Sequence, residues 1–417
     1  MGERQALQWA VVLYAALLPV AHAVVLPVGG AMANAADPLL AALVALALVA
    51  VVREGRAELG PGLPFLLMAL FGLWAAVSGV WGFHPGYALA KGTGYTALAL
   101  GAWAVVWSGV RWERMVDAWL VGALGALLFL YGGWLAGAVG ALPWLEERVV
   151  YRAGAVSGLP FPRPRGPFLH PNLLGEYLVV TSALLWIRWP ALREREPVLA
   201  WGGGALLAGT LLLTFASAWI GLGFLLGAWA LWGRWGRAPG ARRLRLGVGA
   251  LGALLFVGTF SGMLFPLELG GGPLSVSTDG MRAWIWASAS RAFLEAPVLG
   301  VGAAPFLAET PGPVLWDAHS LYLSLPGQFG LVGALLWGTG VGILVYRLAI
   351  RVGTGRVHGG LLAALGAVAF HGVGAAVEDF RHVWLLLAIC GLAALQDNAP
   401  ARSAAIQDET AQDGGHA

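Results

Sequence analysis

Two observations on the sequence predict an all-α polytopic membrane protein with about twelve transmembrane helices. Of its 417 residues, 59% are hydrophobic and 11% are charged, whereas soluble domains carry about 25% charged residues. Apolar runs near the length of a bilayer crossing recur from Ala6 to Leu395, and such runs satisfy their backbone polar groups internally as helices. We therefore expect one helical transmembrane domain over residues 1–395, followed by a polar cytoplasmic tail over residues 396–417.

Charged or Pro/Gly-rich breaks separate the apolar runs and define the predicted spans. These spans are residues 6–26, 38–52, 63–81, 87–107, 116–142, 173–187, 198–215, 218–232, 246–265, 329–346, 361–377 and 383–395. The largest outer connection then lies between the ninth and tenth spans.

Basic residues predict the topology, because Lys and Arg are retained on the cytoplasmic side. The connection that carries Arg234, Arg237, Arg242, Arg243 and Arg245 has no acid and is assigned to the cytoplasm. Counting outward places other Arg-rich connections on the same side: Arg53, Arg56, Arg111, Arg114, Arg188, Arg193, Arg195, Arg347, Arg351 and Arg356. Both termini are then expected to be cytoplasmic. The N-terminal run with Ala21-His22-Ala23 also resembles a cleavable signal peptide, but the parity of this charge map favours a retained span.

Two long connections, residues 143–172 and 266–328, fall on the outer face and carry arginines against the topological bias. They are Arg148, Arg152, Arg163, Arg165, Arg282 and Arg291. Each could snorkel to lipid headgroups or form a structural ion pair. As a set they indicate an anionic ligand, because a guanidinium binds phosphate oxygens bidentately. The sequence therefore predicts an outer site for a lipid-linked phosphate or diphosphate, built from these two connections.

Two ionisable residues near the outer ends of spans are further candidates. Lys91, the one lysine among 25 Lys and Arg residues, lies at the outer end of the predicted fourth span. We assign it to the anion site, although snorkelling explains its depth equally well. Glu176, inside the sixth span, should face the interior and pair structurally with Arg or Lys, or take part in the site.

The larger outer connection contains a predicted helix and a candidate base. The helix opens near Asp279, where N-cap chemistry is favoured, and continues over residues 281–295. Arg282 and Trp286 share one face of it by their i, i+4 spacing. The segment Asp317-Ala318-His319 follows, and imidazole is the usual side chain for accepting a proton near neutral pH. A lone loop histidine is more often an ordinary polar residue, but the nearby Asp317 and Arg282 favour a site.

Three stretches of the sequence resemble the O-antigen ligase and polymerase family of membrane glycosyltransferases. They are RPRGPFLHPNLLGEYL from Arg163, RAWIWASASRAFLEAPVLGVG from Arg282, and HSLYLSLPGQFGLVG from His319. In the third stretch, His319 and Gly330 match the family's pattern of His, ten residues, then Gly. Together with the spans and the large outer loop, the resemblance covers most of the chain.

The resemblance implies a GT-C-like fold in the bacterial inner membrane and a glycan donor linked to undecaprenyl diphosphate. The reaction would be metal-independent transfer, without a cofactor, to an acceptor hydroxyl of a glycan or lipid. One displacement with one base would invert the anomeric centre. His319 and Arg282 would be catalytic, and the donor diphosphate would be bound by Arg163, Arg165, Arg291 and Lys91. The supporting residues would be Asn172, Asp317, Tyr322 and Glu176.

The sequence departs from the family pattern at three places. The family's Ser-Arg pair after the seventh span reads Ala216-Ser217-Ala218 here, so Arg163 or Arg165 is the candidate replacement. Ser320 and Gln328 stand where Asn and an acid are common. Ligase and polymerase activities therefore remain alternatives.

Other functional classes fit less well. A flippase for the same lipid-linked glycan would also need outer arginines, but it would leave the glycan unchanged. A secondary transporter should cluster its ionisable residues at mid-membrane, and a structural scaffold would not need the Arg and His loop. The expected partners are the lipid-linked donor, the acceptor and membrane lipid, with no nucleic acid.

Overall fold

The computed structural model describes residues 2–28, 31–54, 59–151, 163–214, 216, 218–232, 239–264, 279–303, 306–310, 312–316, 318–352 and 356–396. The described part contains fourteen α-helices: α1 (Glu3–Ala21), α2 (Asp37–Glu54), α3 (Leu59–Val77), α4 (Pro85–Trp107), α5 (Trp112–Ala138), α6 (Pro143–Val149), α7 (Pro171–Arg195), α8 (Pro197–Leu213), α9 (Trp219–Trp232), α10 (Pro239–Leu264), α11 (Asp279–Glu295), α12 (Leu321–Ala349), α13 (Arg356–His371) and α14 (Arg381–Gln396). Short 3-10 turns cover Ser78–Val80 and Val377–Asp379.

Six short strands form three antiparallel hairpins in the connections between helices. They are β1 (Val25–Val28) with β2 (Ala31–Asn34), β3 (Val150–Tyr151) with β4 (Arg163–Pro164), and β5 (Phe306–Thr310) with β6 (Gly312–Trp316).

Each predicted span lies on a helix of its own, while α6 and α11 fall within the two predicted outer connections. Three helical segments of the described chain are long and apolar enough to cross a membrane by length and composition: Pro61–Val80, Trp112–Ala138 and Leu321–Ala349. Four shorter helices are also apolar. The chain is therefore a helical membrane protein, as predicted, and the count of twelve spans stays a prediction.

Two helix boundaries differ from those read off the sequence. α10 begins at Pro239, so Arg242, Arg243 and Arg245 lie on its first turns rather than in a loop. Long basic side chains can extend a helix beyond the lipid core because their heads reach water. α12 begins at Leu321, before the predicted span over residues 329–346, and Gly330 interrupts the helix close to the predicted start.

α14 lies at the centre of the fold. All of its residues from His382 to Ala394 are buried, and it contacts α1, α4, α5, α12 and α13. A helix that is apolar on every face is expected in such a position. Its first residues, Arg381 and His382, consequently lie where the ends of several helices meet.

The break in α12 is stabilised by the segment that follows α11. Gly330 has φ 63° and ψ −168°, which no regular helix allows. The amides of Val301 and Gly302 donate to the carbonyls of Gly327 and Gln328 at 3.1 and 2.9 Å. Backbone groups left without helical partners at the break are therefore paired with a neighbouring segment.

Candidate active site

Arg163 lies where the β3–β4 hairpin meets the ends of α7 and α8. Its Nε donates to the Thr214 carbonyl at 2.7 Å, and its Nη2 donates to Asn172 Oδ1 at 3.3 Å. Burial lowers the pKa of Arg163 to about 10, so the guanidinium is charged at neutral pH. The structure thus brings together two predicted site residues, Arg163 and Asn172. The Arg163 guanidinium binds the Thr214 carbonyl, close to the Ala216-Ser217-Ala218 segment where the family pattern has an arginine.

Arg165 lies two residues further on and is directed at the end of α6. Its guanidinium donates to the carbonyls of Glu147, Arg148 and Leu169 at 2.5, 2.9 and 3.4 Å. The last carbonyls of a helix lack intrahelical partners, and a nearby arginine satisfies them. Arg165 therefore has a structural use here, and its predicted role in diphosphate binding stays a prediction.

His319 lies in a strained connection between β6 and α12. It has φ 46°, a left-handed conformation that costs energy for any residue with a Cβ. Ala318, immediately before it, packs against Ala289 and Ala292 of α11. After it, the Leu321 amide donates to the carbonyls of Gly372 and Ala375 at 2.7 and 2.9 Å. The candidate base is therefore held between α11 and the end of α13.

The other predicted residues of this loop are placed less fully. Tyr322 is half-exposed, and its hydroxyl donates to the Ala369 carbonyl at 2.9 Å. Arg291 is exposed on α11. The backbone of Arg282 lies in the first turn of α11, but its side chain and the whole of Asp317 lie outside the described residues.

Lys91 is buried and has an acidic neighbour. Its Nζ lies 3.3 Å from Asp379 Oδ2, while the Tyr95 hydroxyl donates to the other oxygen of that carboxylate. The ammonium also lies 5.6 Å from the centre of the Tyr95 ring. The structure thus explains the depth of Lys91 by an ion pair, and a contribution to diphosphate binding stays a prediction.

Glu176 lies in the interior, as predicted, but its partner is a histidine rather than Arg or Lys. Its Oε2 lies 2.7 Å from His371 Nδ1, and both side chains are 1% exposed. Its Oε1 lies 3.9 Å from His382 Nε2. The rings of Phe168 and Tyr177 surround that second imidazole.

Sequence reasoning missed the residues where the connection after α13 meets the start of α14. Asp379 binds Lys91 of α4, Arg381 forms two hydrogen bonds of 2.8 Å with Asp37 of α2, and His382 faces Glu176 of α7. This junction of α13 and α14 therefore contacts α4, α2 and α7. Its signal was four ionisable residues in the five that separate the last two predicted spans.

The described residues hold no group of three or more His, Cys, Asp or Glu side chains arranged to bind a metal ion. Two assemblies result from the geometry. One joins Arg163, Asn172 and the end of α8, and the other joins α11, His319 and the break at Gly330.

Residues 198–338 match the family model described as O-antigen ligase. This segment runs from α8 into α12 and contains α11, His319 and Gly330. No curated protein matches the chain significantly. The match confirms the resemblance that the sequence motifs predicted: over residues 198–338, the chain is similar to the family described as O-antigen ligase.

Proposed function

We propose that the protein is an O-antigen ligase-type glycosyltransferase of the bacterial inner membrane. It transfers a glycan from undecaprenyl diphosphate to an acceptor hydroxyl on the outer face, without a metal ion. The observation that carries this proposal is the packing of α11, which bears Arg282 and Arg291, against the His319 loop inside the family-matched segment.

Charge neutralisation is the main chemical requirement of the reaction. Diphosphate is already a good leaving group, so fixed positive charges that meet its developing charge lower the barrier. Arg163 supplies such a charge, because its guanidinium is oriented by Asn172 and the Thr214 carbonyl. Arg282 and Arg291 supply further positive charge from α11. A preorganised guanidinium loses little entropy when it binds phosphate oxygens.

His319 is the proposed base. It takes the proton of the acceptor hydroxyl while the new glycosidic bond forms and the bond to diphosphate breaks, which inverts the anomeric centre. Strained backbone conformations of this kind cluster at functional sites, and φ 46° at His319 is the one positive φ among the described non-glycine residues.

A polymerase of the Wzy type that uses the same donor is the second candidate, because the matched family does not separate the two activities. The product distinguishes them. A ligase moves the glycan to a new acceptor without changing its length, whereas a polymerase produces a longer lipid-linked glycan. A flippase changes neither.

The test is purified protein in nanodiscs, incubated with lipid-linked oligosaccharide and candidate acceptors. Arg163→Ala should weaken donor binding by roughly ten- to a hundredfold, because a charge-assisted contact is worth about 1.5 to 3 kcal/mol. Arg163→Lys should recover little, because the ammonium lacks the bidentate fork. Arg165→Ala is the matched comparison, and it should affect donor binding less because its donors are used at the end of α6.

A base at residue 319 is tested with His319→Asn. Asn tolerates positive φ better than Ala, so this variant separates the loss of the imidazole from backbone strain. Donor binding should stay nearly normal while the single-turnover rate falls by about 10² to 10⁴. Poor donor binding with normal turnover at saturation would instead assign His319 to the donor pocket.

A further inference from the structure

We infer that Glu176 and His371 form a positioning pair that sets the distance between the donor-binding arginine and the His319 loop. The inference rests on the proposed function above. The two side chains share a hydrogen bond of 2.7 Å and are both 1% exposed. At that burial they do not contact substrate, so any effect on the reaction passes through the elements they join.

On one side, the pair is connected to Arg163 through α7. Asn172 and Glu176 are four residues apart and lie on the same face of this helix. Asn172 Oδ1 accepts the hydrogen bond from Arg163 Nη2. Because both residues lie on α7, a shift of Glu176 also shifts Asn172, which orients Arg163.

On the other side, the pair is connected to His319 through the end of α13. His371 is the last residue of that helix, and the carbonyl of the next residue, Gly372, accepts the Leu321 amide at 2.7 Å. A Cβ at Gly372 would lie 3.2 Å from the Leu321 side chain, so the two segments are in close contact. Leu321 is two residues from His319, and the end of α13 therefore fixes the backbone of the candidate base.

Stability does not account for this pair. Glu176 Oε1 has no hydrogen-bond partner among the described residues, and His382 Nε2 lies beyond hydrogen-bonding distance at 3.9 Å. A buried carboxylate that is satisfied on one oxygen is costly, and apolar replacements of buried polar pairs are often neutral or stabilising. A costly pair that joins two reactive segments is better explained by the geometry it imposes.

The experiment compares disruptive with conservative substitutions in the full-length protein. Glu176→Met keeps a similar volume but removes the acceptor, whereas Glu176→Gln keeps an oxygen for His371. His371→Asn keeps a donor near the position of Nδ1. Asp117→Asn is the matched control, because it weakens an ion pair with Arg188 between α5 and α7 away from Glu176. Each variant is assayed for donor binding, single-turnover rate and amide hydrogen exchange at Leu321.

Glu176→Met should lower the single-turnover rate by roughly ten- to a hundredfold, since a displacement near 1 Å can cost that much. Donor affinity should change by less than about threefold, and exchange at Leu321 should rise about tenfold or more. Glu176→Gln and His371→Asn should recover most of the lost rate. Asp117→Asn should change none of the three.

Each contrary result has a distinct meaning. Unchanged exchange at Leu321 in Glu176→Met overturns the positioning pair, whatever the activity. A Glu176→Gln protein as slow as Glu176→Met overturns it too, because the carboxylate charge would then be required for proton transfer. If Asp117→Asn has the same effects as Glu176→Met, the pair contributes only to general stability and the positioning role is overturned. If the wild-type protein shows no transfer but Glu176→Met still raises exchange at Leu321, the proposed function is refuted. The coupling between the pair and Leu321 then stands.

Discussion

Replacing Gly330 by alanine tests how the break in α12 is built. A Cβ at this position would lie 2.2 Å from the Val298 carbonyl oxygen and 2.6 Å from the Gly300 amide nitrogen. Both neighbours are backbone atoms, which cannot rotate away. The φ of 63° with ψ −168° adds a strain of about 1 to 3 kcal/mol for a residue with a side chain. Strain and overlap together should destabilise the protein by at least about 3 kcal/mol.

Gly338→Ala on the same helix is the matched control. Its Cβ would meet nothing within 4 Å, and its backbone is helical. Alanine there should stabilise by about 0.5 to 1 kcal/mol, because glycine loses more backbone entropy in a helix. The two variants should therefore shift unfolding in opposite directions. Unfolding in mixed detergent micelles, followed by the fluorescence of the 21 tryptophans, measures this. A Gly330→Ala protein within about 0.5 kcal/mol of wild type would refute the reasoning.

The remaining predictions concern topology, metal dependence and the arginines. With Cys390 replaced, cysteines at Arg242 and His319 should be labelled from opposite sides, and labelling of both from one side would disprove the predicted topology. Activity should survive EDTA, and a loss that magnesium or manganese restores would reveal a metal site. Arg282→Ala should slow transfer and weaken donor binding, with poor recovery in Arg282→Lys, because the bidentate fork is lost. Donor binding should be constant through neutral pH and weaken as the pH rises through about 10, because Arg163 is a cation only below its lowered pKa.

The helices could be predicted because the requirement that lipid imposes on a transmembrane span is met within that span. Each span must satisfy its own backbone, so a long apolar run predicts its helix without reference to the rest of the chain. The helix over Asp279–Glu295 was predicted equally well, from its N-cap residue and its later Pro and Gly punctuation. The predicted start of the tenth span at residue 329 lies beside the break at Gly330, but the helical turns from Leu321 were not predicted, because Pro326 and Gly327 have the sequence signature of a loop.

The candidate site was predicted in part, through side chains that are costly in their location. Lys91, Glu176 and the arginines of the two predicted outer connections were recognised because each opposes a solvation rule. Their partners were not recognised. Asp379 and His371 are far from Lys91 and Glu176 along the chain, and composition does not say which ends of which helices meet.

By itself, the sequence determined that this protein is helical and membrane-embedded, that its unusual arginines lie outside the predicted spans, and that it resembles the O-antigen ligase family. These properties follow from hydropathy and local motifs. The tertiary structure decided the pairing of Arg163 with Asn172, the contact of Gly300 with the break at Gly330, and the bond between Glu176 and His371. Such contacts depend on the way helices pack, which is set by the shapes of many side chains at once rather than by any local pattern.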